Sequence, residues 1–78
     1  MSRQIVDLLK KAAECDRALL GATDTRQSEA LLVVRDLWLA LADQALDLSE
    51  DQFAAKVGIL QRIHPIVLTL GRITTHWH

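Results

Sequence analysis

Apolar residues recur at intervals of three and four along three stretches of the chain, which is the spacing of α-helices that bury one side. The first stretch predicts helix 1 from Arg3 to about Leu20, with Ser2 available as its N-cap and Gly21 as the residue after its end. Charged residues of alternating sign lie opposite its apolar line, so that side is expected to face water. The apolar line consists of Ile5, Leu8, Ala12, Cys15 and Leu19.

The second stretch predicts helix 2 from about Thr25 to Asp47, and Thr23, Asp24 or Thr25 can cap its start. Apolar residues cover most of its circumference, which indicates burial against neighbours on more than one side. The first apolar line is Leu31, Val34, Trp38, Leu41, Ala45 and Leu48, and the second is Leu32, Leu39, Ala42 and Leu46. The narrow polar remainder, which we call the acidic strip, is Glu29, Asp36, Asp43 and Glu50.

The segment LSEDQF predicts the start of helix 3. Ser49 at the N-cap and Gln52 three positions later form a capping-box pair, and Leu48 and Phe53 can form the accompanying hydrophobic contact. Acidic residues in the first turn suit the positive end of the helix dipole.

Pro65 lies inside the third stretch, where a proline usually breaks or kinks a helix. The apolar spacing passes through it without a change of phase, so we predict one helix from about Glu50 to His76, kinked at Pro65. The predicted buried line is Ile59, Ile63, Ile66, Leu70, Ile73 and Trp77. The predicted solvent line is Asp51, Ala55, Gly58, Arg62, Pro65, Thr69, Arg72 and His76.

The chain is therefore predicted to be all-α: residues 1–78 as a single domain, an antiparallel three-helix unit that runs up, down and up. A chain of 78 residues forms a marginal core, and disulfides cannot reinforce it because Cys15 is the only cysteine. Helix 1 cannot cover all the apolar surface of helices 2 and 3, so we expect a homodimer or a higher homo-oligomer built as a helical bundle. The residues expected to form its interface are Leu32, Leu39, Ala42, Leu46, Val67 and Leu68.

The histidines near the end of the chain are candidate metal ligands. His76 and His78 are two positions apart and point to different sides of a helix, and His64 lies about 18 Å from His76 along it. We therefore predict no specific metal site, with chance binding at a frayed end as the alternative, and we expect His64 to be a partly buried residue at the kink.

Catalytic motifs are not found in the sequence. Cys15 lies on a predicted buried line without a neighbouring histidine in sequence, and no Gly-rich phosphate loop is present. Carboxylates of the acidic strip are about 10 Å apart, too far to share a proton or a metal ion. We expect no enzymatic activity and no cofactor. The acidic strip is interpreted as a solvated face or, alternatively, as a contact for another protein with a basic surface.

The segment LSEDQFAAKVGI resembles the first half of a helix-turn-helix of the phage-repressor type, with Phe53, Ala54 and Gly58 at matching offsets. The resemblance implies a turn at Gly58 and DNA binding by residues 49–70. It covers about a dozen residues and fails in LQRIHPIVLTLG, where a base-reading helix needs polar and basic side chains. A DNA-binding regulator is kept as the alternative function, although the net charge of −1 makes nucleic acid an unfavourable partner.

No stretch has the composition of a signal peptide or a membrane span, and a free cysteine is typical of a reducing compartment. The sequence thus predicts a cytoplasmic, non-enzymatic helical interaction module, an adaptor or an inhibitor, that binds a partner protein and associates with itself.

Overall fold

The fold is all-α, as predicted. The computed structural model describes the backbone of residues 3–76 and the side chains of residues 4–69. The helices are α1 (Arg3–Leu20), α2 (Thr25–Gln44) and α3 (Glu50–His76). The predicted end of helix 2 at Asp47 was three residues too late, because residues 45–47 form a turn in which the Asp47 amide donates to the Gln44 carbonyl at 2.9 Å. Among the helices of the described part, none is long and apolar enough to cross a bilayer.

Side chains at two helix starts satisfy backbone amides that have no partner within the helix. Asp24 is the N-cap of α2, and its carboxylate accepts from the Arg26 amide at 2.9 Å. The predicted capping box of α3 is confirmed: the Gln52 amide donates to the Ser49 hydroxyl, and the Ser49 amide donates to the Gln52 side-chain oxygen, both at 3.1 Å.

Gly21 does not adopt the left-handed conformation that a glycine after a helix commonly takes, since no glycine in the described chain has a positive φ. Instead the Gly21 amide donates to the Ala18 carbonyl at 3.1 Å, so α1 ends in a tight turn. The glycine is therefore not required there by its backbone conformation.

The core lies where α1 and α2 were predicted to meet. Leu8, Ala12 and Cys15 of the predicted α1 line are buried, and Leu19 packs against them. The α2 line is buried along Leu31, Val34, Trp38 and Leu41. The Arg35 guanidinium, on one flank of this line, donates to the Asp16 carboxylate of α1 at 3.1 Å.

The predicted buried line of α3 was wrong at Ile59 and Ile66, whereas Ile63 of the same line is partly buried and packs against the core. Ile59 and Ile66 are 58% and 60% exposed, whereas Leu60, His64 and Val67 are at most 6% exposed. Helix α3 carries two apolar rows about a third of a turn apart, and the row that contains a polar residue is the one that packs on α2. The observed core row is Phe53, Val57, Leu60, His64 and Val67. The part of the prediction from Leu70 to Trp77 lies outside the described side chains.

Helix α3 is continuous through both Gly58 and Pro65. A helix-turn-helix needs a turn at Gly58, so the arrangement that the phage-repressor resemblance implied at residues 49–70 is not formed. Pro65 itself is exposed, as its place on the predicted solvent line required. Because Pro65 has no N–H, the carbonyl of Gln61 one turn earlier lacks its helical donor, and water can reach it on this exposed side.

Candidate functional site

His64 is the centre of a buried polar cluster to which all three helices contribute. Its ring contacts Trp38 of α2 edge-on, with centroids 5.8 Å apart and planes at 85°. The indole Nε1–H of Trp38 donates to His64 Nδ1 at 3.2 Å, and His64 Nε2 is 2.6 Å from Glu14 Oε2 of α1. Cys15 Sγ also lies 3.7 Å from Nδ1. The cluster fixes the rotation of α3 against the other two helices.

These contacts determine the tautomer of His64. An indole nitrogen can only donate, so Nδ1 must carry the lone pair and Nε2 the hydrogen. The Nε2–H therefore donates to the Glu14 carboxylate. This hydrogen bond is the largest cause of the lowered pKa of Glu14; burial opposes it, and the charge of nearby Lys11 adds to the lowering.

The cluster brings a cysteine, a histidine and a carboxylate together, which the sequence analysis did not foresee because Cys15 and His64 are 49 positions apart. Its geometry does not suit nucleophilic catalysis. Cys15 is fully buried, and burial raises the pKa of its thiol, followed by the effect of the Asp16 and Glu14 carboxylates. The Nδ1 lone pair that would accept the thiol proton already accepts from Trp38.

Nor does the cluster present a set of metal ligands. Cys15 and Glu14 approach opposite edges of the imidazole, so they cannot bind one ion together with it. Across the described residues, no group of three or more His, Cys, Asp or Glu side chains could hold a metal ion. The side chain of His76 and all of His78 lie outside the described residues, so the prediction about the terminal histidines stays a prediction.

The acidic strip faces solvent: Glu29, Asp36, Asp43 and Glu50 are all exposed. Asp36 accepts from its neighbour Arg35 at 3.0 Å. Glu29, Asp36 and Asp43 line the side of α2 opposite the row that is buried in the core, whereas Glu50 is the first residue of α3.

The residues predicted for self-association do not form one surface. Leu32 and Leu39 are 39% and 41% exposed, and they share with Arg35 the flank of α2 that faces α1. Leu46 is exposed in the turn after α2, and Ala42 is partly buried. The expectation that helix 3 leaves residues 67 and 68 in water was wrong, because Val67 is 6% exposed and Leu68 packs against the core.

A different apolar surface is exposed where α2 and α3 meet on the side without α1. A groove of about 300 Å³ runs between the helices here, and the residues that line it include Leu37, Ala40, Ile59 and Ile63. Val33 and Ile66 continue the two rows by one helical turn. Val33, Leu37, Ile59 and Ile66 are 58%, 44%, 58% and 60% exposed. We call this surface the outer face: Val33, Leu37, Ala40, Ile59, Ile63 and Ile66.

A second groove, of about 330 Å³, separates α1 from α3 near their N-terminal halves. Trp38 forms its floor, and Phe53 and Val57 form the wall on α3. Asp7 and Lys11 of α1 line the opposite wall. Apart from the contacts of His64 with Glu14 and Cys15, α3 is held mainly by α2.

Comparison with known proteins gave no match: no protein-family model, no curated protein and no solved structure is similar to the chain.

Proposed function

We propose that this chain is a small non-enzymatic interaction module that associates with a second copy of itself through the outer face. The observation that carries the proposal is the exposure of four large aliphatic side chains beside one groove: Leu37 and Ile59 line it, and Val33 and Ile66 extend the same two rows. Soluble monomers rarely leave contiguous apolar patches of more than a few hundred Å² in water.

The dimensions of the outer face suit a dimer interface. A 20-residue helix such as α2 is about 30 Å long, and two packed helices present a face about 20 Å wide. Such a face covers roughly 600 Å² on each copy, so a dimer would bury roughly 1,200 Å² in total, the lower limit of standard interfaces. The interface would complete a four-helix core flanked by α1 on each side.

The proposal includes the course of the helices. Asp16 pairs with Arg35 and Trp38 with His64, and the connections of residues 21–24 and 45–49 are short, which favours an antiparallel arrangement that runs up, down and up. We also infer a bend of α3 at Pro65, because proline removes one helical hydrogen bond and crowds the preceding turn. The bend curves α3 around the core.

Two substitutions at similarly exposed leucines of α2 test which face associates. Leu37, 44% exposed, lies on the outer face, and Leu39, 41% exposed, lies on the flank towards α1. Size-exclusion chromatography with light scattering at tens of micromolar should show a dimer for the unmodified chain and for Leu39→Glu. Leu37→Glu should be monomeric, because a dimer of this variant would bury two carboxylates without partners.

Circular dichroism of both variants provides the control, since each is expected to remain helical. A folded monomer for the unmodified chain contradicts the proposed function. A dimer that only Leu39→Glu disrupts contradicts the outer face as the interface and supports the flank of α2 towards α1.

A further inference from the structure

We propose that the two copies are related by a two-fold axis parallel to the helices, so that α2 of each copy lies across α3 of the other. The inference rests on the proposed self-association and adds its geometry. Two arrangements can place the outer face against itself. An axis perpendicular to the helices puts α2 on α2 and α3 on α3, whereas a parallel axis puts α2 on α3.

The charges beside the outer face distinguish these arrangements. On α2, Asp36 precedes Ala40 by four positions and Asp43 follows it by three, so exposed carboxylates border the apolar row of this helix. On α3, Lys56 lines the groove, and Arg62 is exposed beside the isoleucine row. Over the length of the outer face, the charged side chains beside it are therefore acidic on α2 and basic on α3, and Asp51 lies beyond this length towards the start of α3. We call these two sides the acidic edge and the basic edge.

A perpendicular axis would bring acidic edge to acidic edge and basic edge to basic edge. A parallel axis brings each acidic edge to the basic edge of the other copy. Like charges in contact across an interface disfavour an arrangement, and opposite charges select it. Charge complementarity thus favours the parallel axis.

The heights of the charges along the bundle agree with this arrangement. Trp38 contacts His64, so in the antiparallel arrangement each step forward from Trp38 along α2 is level with one step back from His64 along α3. Asp43 is then level with residue 59, three positions from Lys56 and about 4.5 Å along the axis. Rotation about a parallel axis leaves heights unchanged, so Asp43 of one copy and Lys56 of the other lie at nearly the same height on facing helices, where the long side chain of Lys56 can extend towards the carboxylate.

A charge exchange between these two positions tests the arrangement. Lys56→Glu alone places a second carboxylate against Asp43 twice in each dimer, and Asp43→Lys alone places a second ammonium group against Lys56 twice. Each variant should dissociate about tenfold more readily than the unmodified chain. A mixture of the two variants should reverse this effect.

In the mixed dimer, one copy carries carboxylates at both positions 43 and 56, and the other carries ammonium groups at both. Each of the two contacts joins position 43 of one copy to position 56 of the other, so both contacts join opposite charges. Mixed dimers should therefore predominate over either homodimer and regain the unmodified affinity.

Matched controls change the same charges away from the outer face. Lys10→Glu and Asp7→Lys, both at exposed positions of α1, should leave the dissociation constant within about twofold of the original. Analytical ultracentrifugation gives the constants, and native mass spectrometry counts the mixed dimers.

The outcomes separate the two proposals. An unmodified chain that stays monomeric overturns the proposed function and this inference together. A dimer whose two variants mix in statistical proportion and remain weak overturns the parallel axis alone. Weakened homodimers of both single variants, together with predominance of the mixed dimer, support it. Under a perpendicular axis, Lys56→Glu would relieve repulsion between two basic edges and Asp43→Lys repulsion between two acidic edges, so each variant would associate more tightly than the unmodified chain.

Discussion

His64 shows how one polar side chain can be accommodated in a small core. A buried histidine with an unsatisfied nitrogen destabilises a fold, but both ring nitrogens of His64 have partners, one on α2 and one on α1. The partners lie 26 and 50 positions away along the chain. The cluster therefore favours one rotation of α3, which an apolar side chain at position 64 would not specify.

Acid should weaken this cluster through Glu14. Its folded-state pKa is below its ordinary value of 4.5, so its contribution to stability is complete above about pH 4.5 and is lost as the pH falls through the lowered folded value. The side chain is 45% exposed, so solvent screening limits the contribution to about 1 kcal/mol.

Glu14→Gln is the matched variant, because its amide oxygen still accepts from Nε2–H but does not titrate. Urea unfolding between pH 6 and pH 3 should show the difference in unfolding free energy between the two proteins shrinking as the pH falls. A constant difference over that range would contradict the assigned role of Glu14.

Cys15 should be chemically inert in the folded chain. Burial raises the pKa of its thiol, so little thiolate is present. The side chain is also fully buried, so a reagent can reach it only when the fold opens locally or globally. Labelling by a thiol reagent should be at least about a hundredfold slower in buffer than in urea. The double variant Cys15→Ser with Ala13→Cys moves the thiol to an exposed site of α1 and should react at the unfolded rate. Equal rates for Cys15 in buffer and in urea would show that the core opens freely.

At the scale of the elements, local signals were sufficient for the fold class and for two of the three buried sides. The capping box at Ser49 and Gln52 depends on residues three positions apart, so the sequence alone predicts it. The buried side of α3 was mispredicted because Ile59 and Ile66 form a purely apolar row, while the true row includes His64. That choice depends on Trp38 and Glu14, whose positions no helical periodicity reveals. The His64 cluster was not predicted for the same reason, because the partners of His64 lie 26 to 50 positions away from it in sequence.

The continuity of α3 makes Gly58 a site for stabilisation. Glycine in a helix interior costs about 1 kcal/mol relative to alanine, and a Cβ added at Gly58 meets no atom within 4 Å. Gly58→Ala should therefore raise the unfolding free energy by about 1 kcal/mol, measured by urea titration. In the turn of a helix-turn-helix, the same substitution would lower the unfolding free energy, because alanine is strained in the backbone conformation of that glycine. Destabilisation would thus contradict the continuous helix.

At the scale of the whole molecule, α2 is the central helix, and its circumference is divided among different surroundings. One side meets the core, one flank turns towards α1, and the outer face continues onto α3. Counting apolar faces in the sequence correctly indicated more apolar surface than α1 can cover. The prediction placed Val67 on that exposed surface, but Val67 is buried, because the rotation of α3 about its axis cannot be read from the sequence. The outer face follows directly once α3 is rotated to place His64 inside.

Self-association through this face should couple to folding. A core of this size is marginal for a single chain, so the dimer is expected to supply a large part of the stability. Mass action then requires the melting temperature to rise with protein concentration. Over a hundredfold range of concentration, calorimetry should show this rise for the unmodified chain and for Leu20→Glu, which changes an exposed leucine at the end of α1. Ile59→Glu, on the outer face, should have a lower melting temperature that does not change with concentration. Reversible melting of the unmodified chain at a temperature independent of concentration would show that the three helices are stable as a monomer.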